Sequence, residues 1–258
     1  MKTASKIYTA LIMIFLFAPI AILLFFSINA SKSLSVFSGF SLNWYKELFK
    51  DTETLRSVRN TLVLALSASV ISTILGTAAA VGMDRLRNKL YHAALDTVTN
   101  IPMINPDIIT GISLFLLFVA LGLSQGLATV CIAHVVFCTP YVVLSVLPRL
   151  SRMNPNTYEA ALDLGATPAQ ALRMVMLPEL WPGMISGFVL ALTLSVDDFG
   201  VTFFTKGSGG LETLSTFIYS DARKGGLTPE LRPLFTIILL VMLTVLVVIN
   251  VRAEKEKK

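Results

Sequence analysis

Three aspartates stand where carboxylates are costly: Asp197 and Asp198 close behind Ser195 in one long apolar stretch, and Asp107 near the start of another. A carboxylate near mid-membrane costs about 2.5–3.5 kcal/mol even on insertion scales, so such groups are kept facing protein or water. Adjacent acids point about 100° apart around a helix. The pair therefore predicts a division of labour, with one carboxylate bonded to backbone or hydroxyls of neighbouring helices and the other lining a path for a cation. Ser195 adds a hydroxyl to that path. Trp44 offers either an aromatic face at its outer mouth or an interfacial anchor. Asp107 reads equally as a first-turn acid, behind an Asn105 cap and Pro106. Lys206, eight or nine residues beyond the pair, is too far to neutralise it, and the apolar stretches from 60 to 205 hold no lysine or arginine.

Other chemistry is not visible. No metal-ligand spacing, phosphate-binding glycine loop or nucleophile elbow occurs, and Gly207, Gly209 and Gly210 lack the lysine and serine of a P-loop. No enzymatic activity is expected of the chain, and it is not expected to hydrolyse ATP itself. Cys131 and Cys138 are seven residues apart in one apolar stretch, about 10.5 Å along a helix, and read as packing residues. His134, in the same stretch, reads as a hydrogen-bonding partner across to another helix.

The second group of informative residues is polar. Asn154-Pro155 is a cap followed by a proline that loses no hydrogen bond at a first helical position, so a helix is expected over 155–164. Gly165 suits the left-handed turn that ends it, and Thr167-Pro168 repeats the start signal for a second helix running to about Leu177. Tyr158, Ala161 and Leu162 share one face, while Glu159 and Asp163 share another. Ala160 and Ala161 are small enough for a partner surface to approach.

The elements that must hold these residues are membrane helices. The chain has 258 residues, 54% hydrophobic and 14% charged, with mean hydropathy +0.73, and a span needs about 20 apolar residues. Six stretches qualify, at about 7–28, 60–83, 105–122, 127–148, 183–205 and 233–252. On this reading Asp197 and Asp198 lie roughly 21 Å from the inner end of the fifth. The first run is too long for a signal-peptide core and reads as a retained anchor. Ala65, Ser69, Ser72, Gly76 and Ala80 make a small-residue face for close helix packing in the second. Both termini are placed in the cytoplasm by the basic residues, because Lys2, Lys6, Arg85, Arg87, Lys89, Arg149, Arg152, Arg173, Arg252, Lys255, Lys257 and Lys258 then lie inside. The outer basic residues are diluted by Glu47, Asp51, Glu53, Glu212, Asp221 and Glu230. The net charge of +5 follows this topology and gives no sign of nucleic-acid binding. Arg85, Arg87 and Lys89 read as a topology determinant that meets anionic headgroups. The expected organisation is an anchor and outer loop at 1–54, a core domain at 55–252 containing the polar segment 154–178, and a tail at 253–258.

Glu159-Ala160-Ala161, then Gly165, then Val175, Leu177 and Pro178, resembles the EAA signature of ABC-importer permeases, with valine where isoleucine is usual. Asn60-Thr61-Leu62 is similar to the start of that permease domain, so the resemblance covers roughly residues 40 to 250. Thr193 to Phe199, Asn105-Pro106-Asp107-Ile108 and Asn43-Trp44-Tyr45 narrow it to the spermidine/putrescine permeases of the PotC type. The resemblance implies an all-α, polytopic, type I importer permease of the bacterial plasma (inner) membrane, with six transmembrane helices. It implies an ATPase-coupling role for Glu159, Ala160, Ala161, Asp163, Gly165, Leu177 and Pro178, and a polyamine path along Asp197, Asp198, Ser195, Asp107 and Trp44. The implied partners are two ATP-binding subunits, a second, homologous (PotB-like) permease subunit, an extracytoplasmic polyamine-binding protein and membrane lipid. ATP and Mg would be used by the ATPase, with no cofactor on this chain. The alternatives are an importer of the same architecture for a metal complex, thiamine or an oxyanion and, more remotely, a channel or secondary transporter that needs no ATPase.

Overall fold

The computed structural model describes residues 2–33, 36–86, 88–208, 211–226 and 228–255; Arg87, Gly209, Gly210, Lys257 and Lys258 lie outside the described residues. In chain order the helices are α1 (Lys2–Ser27), α2 (Asn43–Leu48), α3 (Thr52–Asp84), α4 (Lys89–Ile104), α5 (Asp107–Ala120), α6 (Leu127–Leu150), α7 (Pro155–Asp163), α8 (Pro168–Ala171), α9 (Leu177–Asp197), α10 (Gly200–Thr205), α11 (Leu214–Arg223) and α12 (Leu231–Lys255). A π-helical turn, Leu172–Met176, joins α8 to α9. The architecture is all-α. Among the described residues β pairing is limited to one isolated bridge, Asn29 to Phe40.

Four helical runs are long and apolar enough to cross a membrane: Ser5–Ser27, Thr52–Asp84, Leu127–Leu150 and Pro168–Asp197. A fifth is made by α4 and α5 only as a broken pair bent by 110°. The expected third span, 105–122, thus begins too late. Its N-terminal half is α4, and the bend falls where Pro106 forces Asn105 into extended backbone (ψ 131°). The expected fifth span, 183–205, is corrected at both ends. It begins earlier, continuous with the polar segment, and it stops at Asp197 before restarting as α10. Of α12, Leu231–Thr244 is a shorter apolar helix.

The chain divides into two units. One comprises 1–56 and 218–258, the other 57–217. In the first, Ile20, Leu23 and Leu24 of α1 meet Phe235 and Leu239 of α12. Asn29, fully buried, organises the turn after α1: its side-chain amide donates to the Val36 carbonyl at 2.7 Å and its carbonyl oxygen accepts from Ser38 N–H at 2.9 Å. The buried Arg232 guanidinium donates to the carbonyls of Ser31 and Lys32.

The second unit is built on α6 and α9, whose Val142, Val143, Val146, Leu180 and Ala191 form a buried apolar core. The small-residue face of α3 is turned inward as its spacing predicts, with Ala65, Ser69, Ser72 and Ala80 all fully buried. Asn60 donates to the Glu212 carbonyl at 2.9 Å, and Thr61 accepts from Leu214 N–H at 2.7 Å. These two bonds fasten the segment after α10 to α3.

Candidate functional site

The break between α9 and α10 is written by Asp198. With ψ 131° it leaves the helix, and its carboxylate turns forward to cap α10, accepting from Val201 N–H at 3.1 Å and Thr202 N–H at 2.8 Å. A side chain that captures these amides competes with the continuous helix ladder. Thr202 Oγ1 adds a third bond at 2.7 Å, and Ser215 Oγ donates to the Asp198 carbonyl at 2.6 Å. Of the adjacent acids, Asp198 is therefore the bonded one.

His134 completes this cluster from α6. Its Nε2 lies 2.9 Å from Thr202 Oγ1 and 3.4 Å from Asp198 Oδ2, and its Nδ1 lies 2.6 Å from Ser195 Oγ. Thr202 has a single hydroxyl proton, which goes to the Asp198 carboxylate. The imidazole Nε2 must then be the donor to Thr202. Ser195 is 2% exposed and Asp198 8%, so both face protein. The expectation that the pair has no basic partner within the apolar stretches is corrected, because the His134 imidazole stands beside Asp198; the bonds to backbone amides and a hydroxyl are those expected of one acid of the pair. Lys206 is occupied elsewhere, 3.4 Å from Glu212.

Asp197 and Asp107 are the exposed acids. Asp197 is the last residue of α9 and Asp107 the first of α5. The two helix ends meet because Gly111 and Gly200 leave room: a Cβ on Gly111 would fall 2.9 Å from the Gly200 carbonyl, and one on Gly200 only 3.2 Å from Asp107 Cβ. Together they open on a cleft of about 330 Å³. Three carboxylates line it, with the aromatic rings of Phe137, Tyr141 and Phe199, and among the described residues no basic side chain does. Such a site favours a ligand that is cationic at its ends and apolar between them, since carboxylates accept from ammonium groups and aromatic faces attract them.

Trp44 belongs to the other unit. It is buried, and its indole N–H donates to the Asn29 carbonyl at 2.9 Å. That bond and its burial account for this tryptophan as a staple of the turn after α1, not as an exposed aromatic face.

The polar segment forms its first helix as its caps dictate. Asn154 accepts from Asn156 N–H at 3.0 Å, α7 ends at Asp163, and Gly165 takes φ +90°. Thr167 and Gln170 then form a reciprocal capping box at the start of α8. The expected stop near Leu177 does not occur. Leu177 N–H instead bonds the Leu172 carbonyl five residues back. Pro178 explains the widened turn, because its ring clashes with the carbonyl four residues earlier and its nitrogen has no proton to give. Helical backbone therefore runs from Pro168 to Asp197, about 45 Å at the usual rise. It joins the polar segment directly to the acidic cleft. Glu159, Ala160, Asp163 and Leu164 face outward from α7, while Ala161 is half-buried.

The match to protein families and known structures agrees with this geometry. Residues 72–253 fit the family described as binding-protein-dependent transport system inner membrane component. The chain is 39% identical to the putrescine transport system permease protein PotI of Escherichia coli (strain K12), over 87% of this chain and 82% of that one. It is 34% identical to the spermidine/putrescine transport system permease protein PotC of Haemophilus influenzae, over 93% of each. Among solved structures, a chain of a bacterial ABC transporter that imports the acidic polysaccharide alginate superposes with TM-score 0.75 at 15% identity, covering 98% of this chain and 95% of that one. A chain of the MetNI methionine ABC transporter gives 0.56 at 24% identity, covering 78% and 93%.

Proposed function

The chain belongs to the binding-protein-dependent transport system inner membrane component family, and on that premise we propose that it is the permease subunit of an ATP-driven importer for polyamines. The observation that carries the substrate class is the cleft: three carboxylates beside aromatic rings, without a basic residue, suit a flexible diamine or triamine with methylene spacers. The relatives named for putrescine and spermidine transport support the same class.

In this reading an extracytoplasmic binding protein delivers the polyamine to the outer loops, and this chain and a second permease subunit enclose the path. Asp197 and Asp107 take the ammonium groups, while Asp198 and Ser195, held by His134, fix the wall behind them. ATP and Mg are used by two partner ATPase subunits. The outward residues Glu159, Ala160, Asp163 and Gly165 meet an ATPase cleft. Ala161, Leu177 and Pro178 shape the helices that carry its closure along α9. The bias of the basic residues supports an orientation with both termini and the 154–178 segment on the cytoplasmic side of a bacterial inner membrane.

The test is competition in cells that lack other polyamine uptake and express the transporter with its neighbouring subunits. Unlabelled putrescine or spermidine should suppress uptake of labelled putrescine, while thiamine, oxyanions and metal chelates should not. Suppression by one of the latter instead would replace the substrate and keep the permease.

A further inference from the structure

Arg85 stands just beyond the end of α3, where a basic residue that served only topology or lipid headgroups would point away from protein. It does not. Its guanidinium carbon lies 4.0 Å from the ring centroid of Tyr158 on α7, and its Nη2 donates to Met176 Sδ at 3.5 Å. Met176 is buried and is the last residue of the π turn. Tyr158 and Leu172 are half-buried against the same core that contains Met83, Leu150 and Leu180. One side chain at the end of α3 thus bonds α7 and the α8–α9 run together.

The chemistry suits a joint that must hold while it moves. A guanidinium over an aromatic face is attracted by the ring quadrupole while its N–H groups remain free to donate, so one side chain holds Tyr158 and Met176 at once. A lysine keeps the charge and loses the planar stack. The outward face of α7 is left uncovered by this contact, so a partner can push on Glu159, Ala160 and Asp163 while Tyr158 transmits the displacement inward.

We propose that Arg85 is a positioning residue for energy coupling, a latch that makes α7, the π turn and the end of α3 move as one body when the polar segment is displaced. The latch rests on the reading of 154–178 as the segment that meets an ATPase.

Two measurements test it. In proteoliposomes holding the whole complex, with binding protein outside, labelled putrescine uptake is divided by ATP hydrolysed. Arg85→Gln and Tyr158→Leu should each lower that ratio by about threefold or more, and Tyr158→Phe, which keeps the ring, should restore it. Parental ratios in both Arg85→Gln and Tyr158→Leu would overturn the latch. A double-mutant cycle on thermal unfolding of the chain in nanodiscs reads the contact without any substrate. Non-additive losses support it and additive losses overturn it. Because the cycle needs no transport, absent uptake by the parent complex would count against the importer reading, and the cycle would still decide whether Arg85 holds Tyr158.

Discussion

His134 Nε2 and Asp198 Oδ2 stand 3.4 Å apart with side chains 0% and 3% exposed, so a charged group and its imidazole partner are sealed into the joint between α6, α9 and α10. The groups that hydrogen-bond the Asp198 carboxylate are all donors: two amides and the Thr202 hydroxyl. A carboxylate that accepts from three donors and cannot donate is well matched there.

Asp198→Asn places an NH₂ group among those donors. The substitution should cost about 1–3 kcal/mol, read as a lower unfolding temperature of the purified chain, with Asp198→Ala at least as harmful. An unchanged unfolding temperature would mean that the cap does not hold the break.

Asp197 and Asp107 should behave in the opposite way, because both are exposed at the cleft. Asp197→Asn and Asp107→Asn should leave the stability of the chain within about 0.5 kcal/mol of the parent, as surface changes do. Each should raise the half-saturating polyamine concentration by roughly tenfold, the worth of a charge-assisted hydrogen bond. Concentration-dependent uptake separates the two effects.

Gly165→Ala isolates the turn. At φ +90° nothing lies within 4 Å of the added Cβ, so the penalty is conformational, about 1–2 kcal/mol. The chain should still assemble, with less transport per ATP hydrolysed; Gly165→Pro should abolish it. Copurification of the ATPase, followed by the ratio of uptake to hydrolysis, checks both.

Pro178→Ala gives residue 178 an amide proton and removes the ring that widens the turn before α9. The π turn should tighten toward α-helix, changing the rotation of α8 against α9. Spin labels on α8 and at the end of α9 should report an altered distance. An unchanged distance would assign the widened turn to some other cause.

Local signals were legible in the sequence. Asn154-Pro155, Gly165 and Thr167-Pro168 each specify their own turn within a few residues, and the structure follows them. Two adjacent acids predict one that is bonded and one that lines a path, but periodicity has no means of deciding which, since the choice lies with Thr202 and His134 on other turns and helices. The break at Asp198 was invisible for a related reason: Leu194, Val196, Phe199 and Val201 keep the stretch apolar enough to count as one span, and hydropathy does not record a carboxylate turning forward onto two amides. α4 was hidden because its polar residues, His92 and Asp96 among them, interrupt the apolar count. The contact of Arg85 with Tyr158 joins residues 73 positions apart, beyond any spacing rule.

On the proposed function, Asp197 at the end of α9 and Asp107 at the start of α5 receive a polyamine whose import ATP drives. Uptake of radiolabelled putrescine and spermidine into proteoliposomes that contain the complex, with binding protein and with or without ATP, tests it most directly when the parent is compared with Asp197→Asn. ATP-dependent uptake of at least one polyamine is expected, reduced roughly tenfold at low concentration by the substitution, with the subunits still assembled. ATP-dependent transport of a different solute, or equal polyamine uptake by Asp197→Asn and the parent, would contradict it.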